Sequence, residues 1–259
     1  METEVHTSYI TADSLLFAVS HRPWLPPDAP WVMTQSWNNL LFLHYAFEPQ
    51  VLRQIVPDVL TLDLYGGQAW LSITPFQIAH TRPPGIPPIP SISTFPELNV
   101  RTYVTYNGKP GVYFFSLDAG NLSAVWGARI FYRLPYWHAS MKLEAKEDIH
   151  FRSKRIHGPS GKDGMPEFVV TYRPSGEVFE PRPRSLDDFL TGRYCLYAFN
   201  RNRLYRTEIH HVPWPLQPAE VHIERNTLTE PLGLTLPDEP MAHFSRMLKV
   251  LIWAPERLL

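Results

Sequence analysis

Twenty-seven prolines are spread through 259 residues, about twice the usual frequency. A proline lacks an N–H and has a fixed φ, so it ends helices and is kept out of central strands. A chain punctuated this often is driven to short elements joined by many turns. Two clusters stand out, over residues 21–27 and 83–90. Apolar sequence of unchanged composition continues on both sides of each, so neither reads as a linker. The second is predicted to be a long loop, of the kind that often carries function. The chain is divided into an N-terminal extension, 1–30, and a single domain, 31–259.

Strand signals dominate between the prolines. Thr61–Tyr65, Gly66-Gly67 and Ala69–Ile73 read as a hairpin. Leu98–Val104, the Asn107-Gly108 turn and Gly111–Phe115 read as a stronger one, with Lys109-Pro110 suggesting a slightly longer loop. Further strands are predicted over 141–151, 167–172, 194–199, 204–212 and 243–253. Helices are few and short: one between Pro49 and Pro57, one from Asn121 to Pro135, and a capped turn at Ser185-Leu186-Asp187-Asp188. This pattern predicts a mainly β protein, barrel or sandwich, with a few attached helices.

Composition excludes several classes of function. Lys and Arg number 24 against 25 Asp and Glu, so no long-range field draws the chain to nucleic acid or anionic lipid. The basic run Arg152–Arg155 reads as a solvated strand end rather than a binding patch. The single cysteine, Cys195, sits in an apolar run; it predicts a buried, inert thiol and a reducing, cytoplasmic setting. Met1-Glu2-Thr3-Glu4 is acidic where a secretion signal is basic, and no segment approaches the ~20 apolar residues of a membrane helix. His210 and His211 are adjacent, hence on opposite faces of a strand, and no metal or phosphate-loop motif is present. No metal and no cofactor are predicted.

The run Met33–Tyr45, the segments Phe95–Val104 and Gly111–Asp118, and Leu134-Pro135-Tyr136-Trp137-His138-Ala139 closely resemble the uncharacterised YqjF-like family, from about residue 31 onward. That family is similar to a distant branch of the acetoacetate decarboxylase superfamily. The resemblance implies a cone-shaped antiparallel β-barrel with an internal pocket. It places Glu97, ten residues before the Asn107 turn, at the family's glutamate, and Ala128-Arg129 on the helix leading to Pro135. The decarboxylases carry their imine-forming lysine directly after that proline; here Tyr136 and Trp137 follow, and neither has an amine. Lys142, seven residues on, is no evident substitute. Where the family has a substrate-binding arginine on the first strand, this chain has Asn38 or a neighbour. Acetoacetate decarboxylation through an imine is therefore not expected.

Strand alternation puts Glu97, Asn99, Arg101 and Tyr103 on one face and Leu98, Val100 and Val104 on the other. The polar face meets water or lines a cavity, and the resemblance favours the cavity. Glu97 then acts as acid or base and Arg101 holds a carboxylate, the two bracketing a ligand. His138 follows the missing lysine position and titrates near neutrality, which makes it the second catalytic candidate. Asn38, Arg101, Arg129, Tyr136 and Trp137 are the candidate substrate-binding residues. Three readings stay open: a lysine-independent enzyme on a small carbonyl or carboxylate compound, a non-catalytic small-molecule binder, and an interaction protein without ligand. No motif speaks to oligomeric state.

Overall fold

Asn107 and Gly108, with φ of 49° and 75°, close a two-residue turn between the paired residues Tyr106 and Lys109. Both positions need the left-handed region, which Asn and Gly enter most readily. The loop is thus as tight as Asn-Gly allows, and Lys109 and Pro110 belong to the returning strand rather than to the turn.

The computed structural model describes residues 11–259, less the side chains at 90, 91, 128 and 130. The first half comprises α1 (Ala12–Phe17), β1 (Met33–Phe47), α2 (Pro49–Arg53), β2 (Thr61–Leu62), β3 (Ala69–Arg82), α3 (Pro90–Ser93), β4 (Phe95–Tyr106), β5 (Lys109–Ala119) and α4 (Leu122–Phe131). The second comprises β6 (Tyr136–Ala145), β7 (Ile149–Arg155), β8 (Glu167–Pro174), α5 (Leu186–Thr191), β9 (Cys195–Asn200), β10 (Arg203–His210), β11 (Gln217–Asn226), β12 (Met241–Ile252) and β13 (Glu256–Arg257). The mainly β class with short helices is the one the strand signals predict. The prolines do not keep the strands short, since β1 and β3 run to 15 and 14 residues and Pro75 lies within β3, but they do keep the helices short. α2 shows how: Pro49 opens it, and the chain turns before Pro57.

Pairings run from β12 to β1, β3, β4 and β5 in antiparallel order. From β5 the sheet continues in parallel to β9, then antiparallel to β10 and back to β12. The β5–β9 and β10–β12 contacts are only two residue pairs each. The sheet is therefore a partial ring rather than a regular antiparallel barrel, and two of its joints, β5 with β6 and β5 with β9, are parallel. Gly111 makes the β9 joint feasible: a Cβ there meets the Cys195 carbonyl at 2.7 Å. β6, β7, β8 and β11 form a wing that returns to β12.

Two bulges set which residues face inward. Between Asn38 and Leu43, β1 advances five residues while β3 falls back four, with Asn39 at φ 49° and its carbonyl accepting a 2.6 Å bond from Tyr172 Oη. Trp37 and Leu40 consequently share a face, although strict alternation separates them. On β5, pairing passes from Ser116 to Phe114, so Phe114 and Leu117 also share a face. Leu41, Leu43, Tyr45 and Phe47 pack with Phe151, Phe168 and Tyr172 beneath the wing. Leu40 and Phe42 pack with Phe76, Trp214 and Leu248 inside the ring.

Three further sequence expectations change. Thr61-Leu62 pairs with β4 rather than with β3, because Leu62 finds Val104 as its partner; only a Tyr65–Gln68 bridge remains of that hairpin. The run 141–151 is two strands broken at 146–148. Within the basic run, Arg155 is buried, not solvated. Part of the N-terminal segment is docked: Leu15 of α1 packs on Leu251 and Trp253, and His210 Nε2 lies 2.7 Å from its carbonyl oxygen.

Candidate functional site

Inside the ring is a cavity of about 330 Å³. Along β4 the odd-numbered side chains Phe95, Glu97, Asn99 and Arg101 form one wall, as period-two alternation dictates. Trp37 and Leu40 of β1, Phe76 of β3 and Phe114 and Leu117 of β5 supply apolar walls. The bulges bring two of these pairs into the same space. Ile92 of α3 and Phe131 of α4 lie at the exposed end, while Arg101, Arg193, Thr191 and His211 lie at the buried end.

Glu97 is 3% exposed, and Tyr136 Oη donates a 2.8 Å hydrogen bond to its Oε2. Burial pushes its carboxyl up to about 7; the bonds from Tyr136 and Asn99 oppose that push, and the nearby Asp118 adds to it. Asn99 Oδ1 accepts from Thr74 Oγ1. The Tyr136 hydroxyl is held well above its ordinary range by burial and by Glu97, so it serves as a hydrogen-bond donor.

At the far end Arg101 stands without a carboxylate within ion-pair distance among the described residues, and its buried Nε has no hydrogen-bond partner. Its guanidinium lies 5.5 Å from the Phe42 ring. Burial lowers its pKa; the Tyr103 hydroxyl, hydrogen-bonded to it, opposes that shift, and the neighbouring Arg193 charge adds to it. Arg193 differs: its Nη1 is 2.5 Å from Asp63 Oδ2, and it stacks on Phe189 at 4.2 Å. Burial pushes His211 down to about 3 against the pull of two backbone carbonyls, which keeps it neutral. Behind Arg101, Ser72 Oγ bridges His44 Nδ1 and Tyr103 Oη at 2.6 Å each.

Of the sequence-derived candidates, Glu97, Arg101 and Tyr136 line this cavity together. Asn38, Arg129, Trp137 and His138 are not in its lining. Asn38 alternates with the inward Trp37. Arg129 donates a 2.6 Å bond to the Tyr136 carbonyl and lies 4.6 Å over the Trp137 ring, an arrangement that positions Tyr136. Trp137 also packs beside His157, and the His138 carbonyl accepts from Ile156 N. No lysine occurs among the lining residues; Lys142 is exposed and paired with Glu144 at 2.8 Å. Cys195 is buried, its thiol pushed up to about 12 by burial. Arg193 carried no sequence signal, because its partner Asp63 lies 130 residues away.

Residues 34–249 match the model of the DUF2071 family, described as an uncharacterised conserved protein. The chain belongs to this family. It is 48% identical over 229 residues to the uncharacterised protein YqjF of Bacillus subtilis strain 168, covering 88% of this chain and 93% of that one. Among solved structures it is similar to an acetoacetate decarboxylase from Legionella pneumophila, with a TM-score of 0.59 and 14% identity over 94% of each chain. It is likewise similar to the enduracididine biosynthesis enzyme MppR complexed with the condensation product of pyruvate and imidazole 4-carboxaldehyde. There the TM-score is 0.60, with 12% identity over 89% of this chain and 90% of that one. At these identities the two likenesses establish a shared fold and nothing about chemistry. No helix among the described residues is long and apolar enough to cross a membrane.

Proposed function

We propose that this protein is an enzyme that moves a proton on a small carbonyl-containing carboxylate without an imine-forming lysine. The observation that carries the reading is the Glu97 carboxyl, walled into the cavity, bonded to Tyr136 at 2.8 Å and pushed up to about 7. An acid–base group works best when its pKa lies near the working pH, and a buried carboxyl at neutrality meets that condition. Glu97 takes a proton from the carbon beside the carbonyl, whose C–H pair moves into an enolate. Glu97 then returns the proton. Arg101, roughly 13 Å along the strand from Glu97, anchors a carboxylate at the end of the substrate remote from the reacting carbon, and Arg129 fixes Tyr136 through its carbonyl. MppR, which shares the fold alone, has been solved with pyruvate and with a pyruvate condensation product, and the proposed ligand class is taken by analogy from it. The unpaired Cys195 suits a cytoplasmic setting.

The test is hydrogen–deuterium exchange at the α-carbon, followed by proton NMR in D₂O with a panel of keto acids. The wild type is expected to wash out the α-proton signal of at least one member, and Glu97→Gln to slow that loss at least a hundredfold. Exchange that is absent across the panel, or undiminished in Glu97→Gln, overturns the proposal. The apolar character of most of the lining favours a second reading, a non-catalytic carrier. That reading requires saturable binding with no exchange.

A further inference from the structure

The cavity is graded along its length. β4 runs along it from Phe95, three residues past the exposed Ile92, through Glu97 and Asn99 to Arg101. At ~3.3 Å per residue, Glu97 and Arg101 are roughly 13 Å apart along the strand. The outer reach is apolar on the neighbouring strand too, where Ile78 and Phe76 of β3 stand level with Phe95 and Glu97 and line the cavity. Its rim carries large apolar side chains left in water: Ile92 is 45% exposed and Phe131 70% exposed, and both line the cavity.

Charge is the second observation. Asp63 neutralises Arg193, and Arg101 has no anionic partner among the described residues. Arg101 has a hydrogen bond with Tyr103 but no counter-charge among the described residues. A guanidinium in that state at this depth is costly unless an anion joins it, and its planar donors match a carboxylate. The inner end therefore carries one uncompensated positive charge, which complements a single negative one.

We infer that the cavity takes an amphipathic monocarboxylate, seated head inward at Arg101 with an aryl or medium-length alkyl tail reaching the Ile92–Phe131 rim. This rests on the Arg101 anchor of the proposed function but not on Glu97 chemistry. A cavity of about 330 Å³ holds on the order of ten waters. An acid of two or three carbons leaves most of that water against aromatic walls, whereas a longer tail displaces it. Each buried methylene improves affinity by about fourfold.

The experiment is calorimetric titration of the wild type with butyrate, hexanoate, octanoate and phenylpyruvate, alongside pyruvate, adipate and neutral hexanol. Kd is expected to fall by about fourfold per methylene from butyrate to octanoate. Adipate is expected to bind at least tenfold more weakly than hexanoate. Asp63→Asn, which releases the Arg193 charge from a partly exposed partner, should narrow that gap at least tenfold. Arg101→Gln should weaken hexanoate at least tenfold and leave hexanol unchanged.

Pyruvate binding as tightly as octanoate, or adipate as tightly as hexanoate, overturns the inference. Both comparisons use only the wild type, so misfolding of a variant does not mask the outcome. Chain-length dependence without any α-proton exchange sinks the enzymatic reading and keeps this one; exchange on pyruvate with flat chain-length dependence does the reverse.

Discussion

Arg155 Nη2 lies 2.9 Å from Asp118 Oδ1, with both side chains almost wholly withdrawn from water. The pair sits one residue along β5 from the Glu97 partner Ala119, so the polar wall of the cavity is backed by a second buried charge pair. Even with Arg155 in place, burial pushes the Asp118 carboxyl up to about 6.

Breaking that pair from one side strands a carboxylate. Arg155→Met is expected to cost about 3–5 kcal/mol at pH 8, read from the urea midpoint. At pH 5 the orphaned Asp118 is protonated, and the cost should shrink. An equal loss at both pH values contradicts a buried carboxylate at Asp118.

Glu97 makes a separate prediction. Its folded pKa, about 7, lies above the ordinary 4.5, so the folded state holds a proton that the unfolded state releases between those values. The carboxyl therefore destabilises the fold progressively as pH rises from about 4.5 to 7. Buried His210 and His211, pushed down to about 4 and 3, act the opposite way: their contribution is present above pH 6.5 and lost as pH falls. The wild-type curve mixes these effects, and a difference curve separates them. Glu97→Gln minus wild type should grow more stabilising from pH 5 to 8, by up to about 3 kcal/mol. A flat difference excludes a raised Glu97.

Tyr136→Phe removes the donor that favours the ionised form of Glu97. The Glu97 titration, followed by carbon NMR of labelled carboxyls, should move upward from about 7. A downward move means that the hydroxyl accepts from Glu97 rather than donating to it.

Leu98 and Glu97 provide a register test. Leu98 is packed in the core beneath the wing, on the face opposite the cavity. Leu98→Asp should abolish cooperative unfolding, while Glu97→Gln keeps the melting temperature or raises it. The reverse outcome inverts the strand.

Legibility in the sequence followed locality. The β4–β5 hairpin was readable because its alternation and its Asn107-Gly108 turn lie within one short stretch, and the same alternation aligned Glu97 with Arg101. The Thr61–Ile73 hairpin was misleading because Leu62 pairs instead with Val104, a distant residue that local pattern cannot rank. Asn38 sat in a strand whose phase is reset by a bulge one residue later. Trp137 and His138 sit where β6 leaves its parallel partner β5 for antiparallel β7, so alternation there does not report which side faces the cavity. Arg193 and Asp63 meet only through the ring, and no periodicity predicts a pair of that separation.

The bulge at Asn39 carries a consequence for how such chains diverge. Because one extra residue there sets the phase of everything between Leu40 and Phe47, deleting it turns Leu41, Leu43 and Tyr45 out of their core and Leu40 and Phe42 out of the ring together. Substitutions at these positions act one at a time, but a single-codon deletion acts on the whole strand. Length variation among descendants of this chain should therefore be purged from 33–47 and accumulate in exposed turns such as Gly158–Gly164. A deep insertion–deletion scan, scored for soluble protein, would display the bulge as a sharp gap in tolerance.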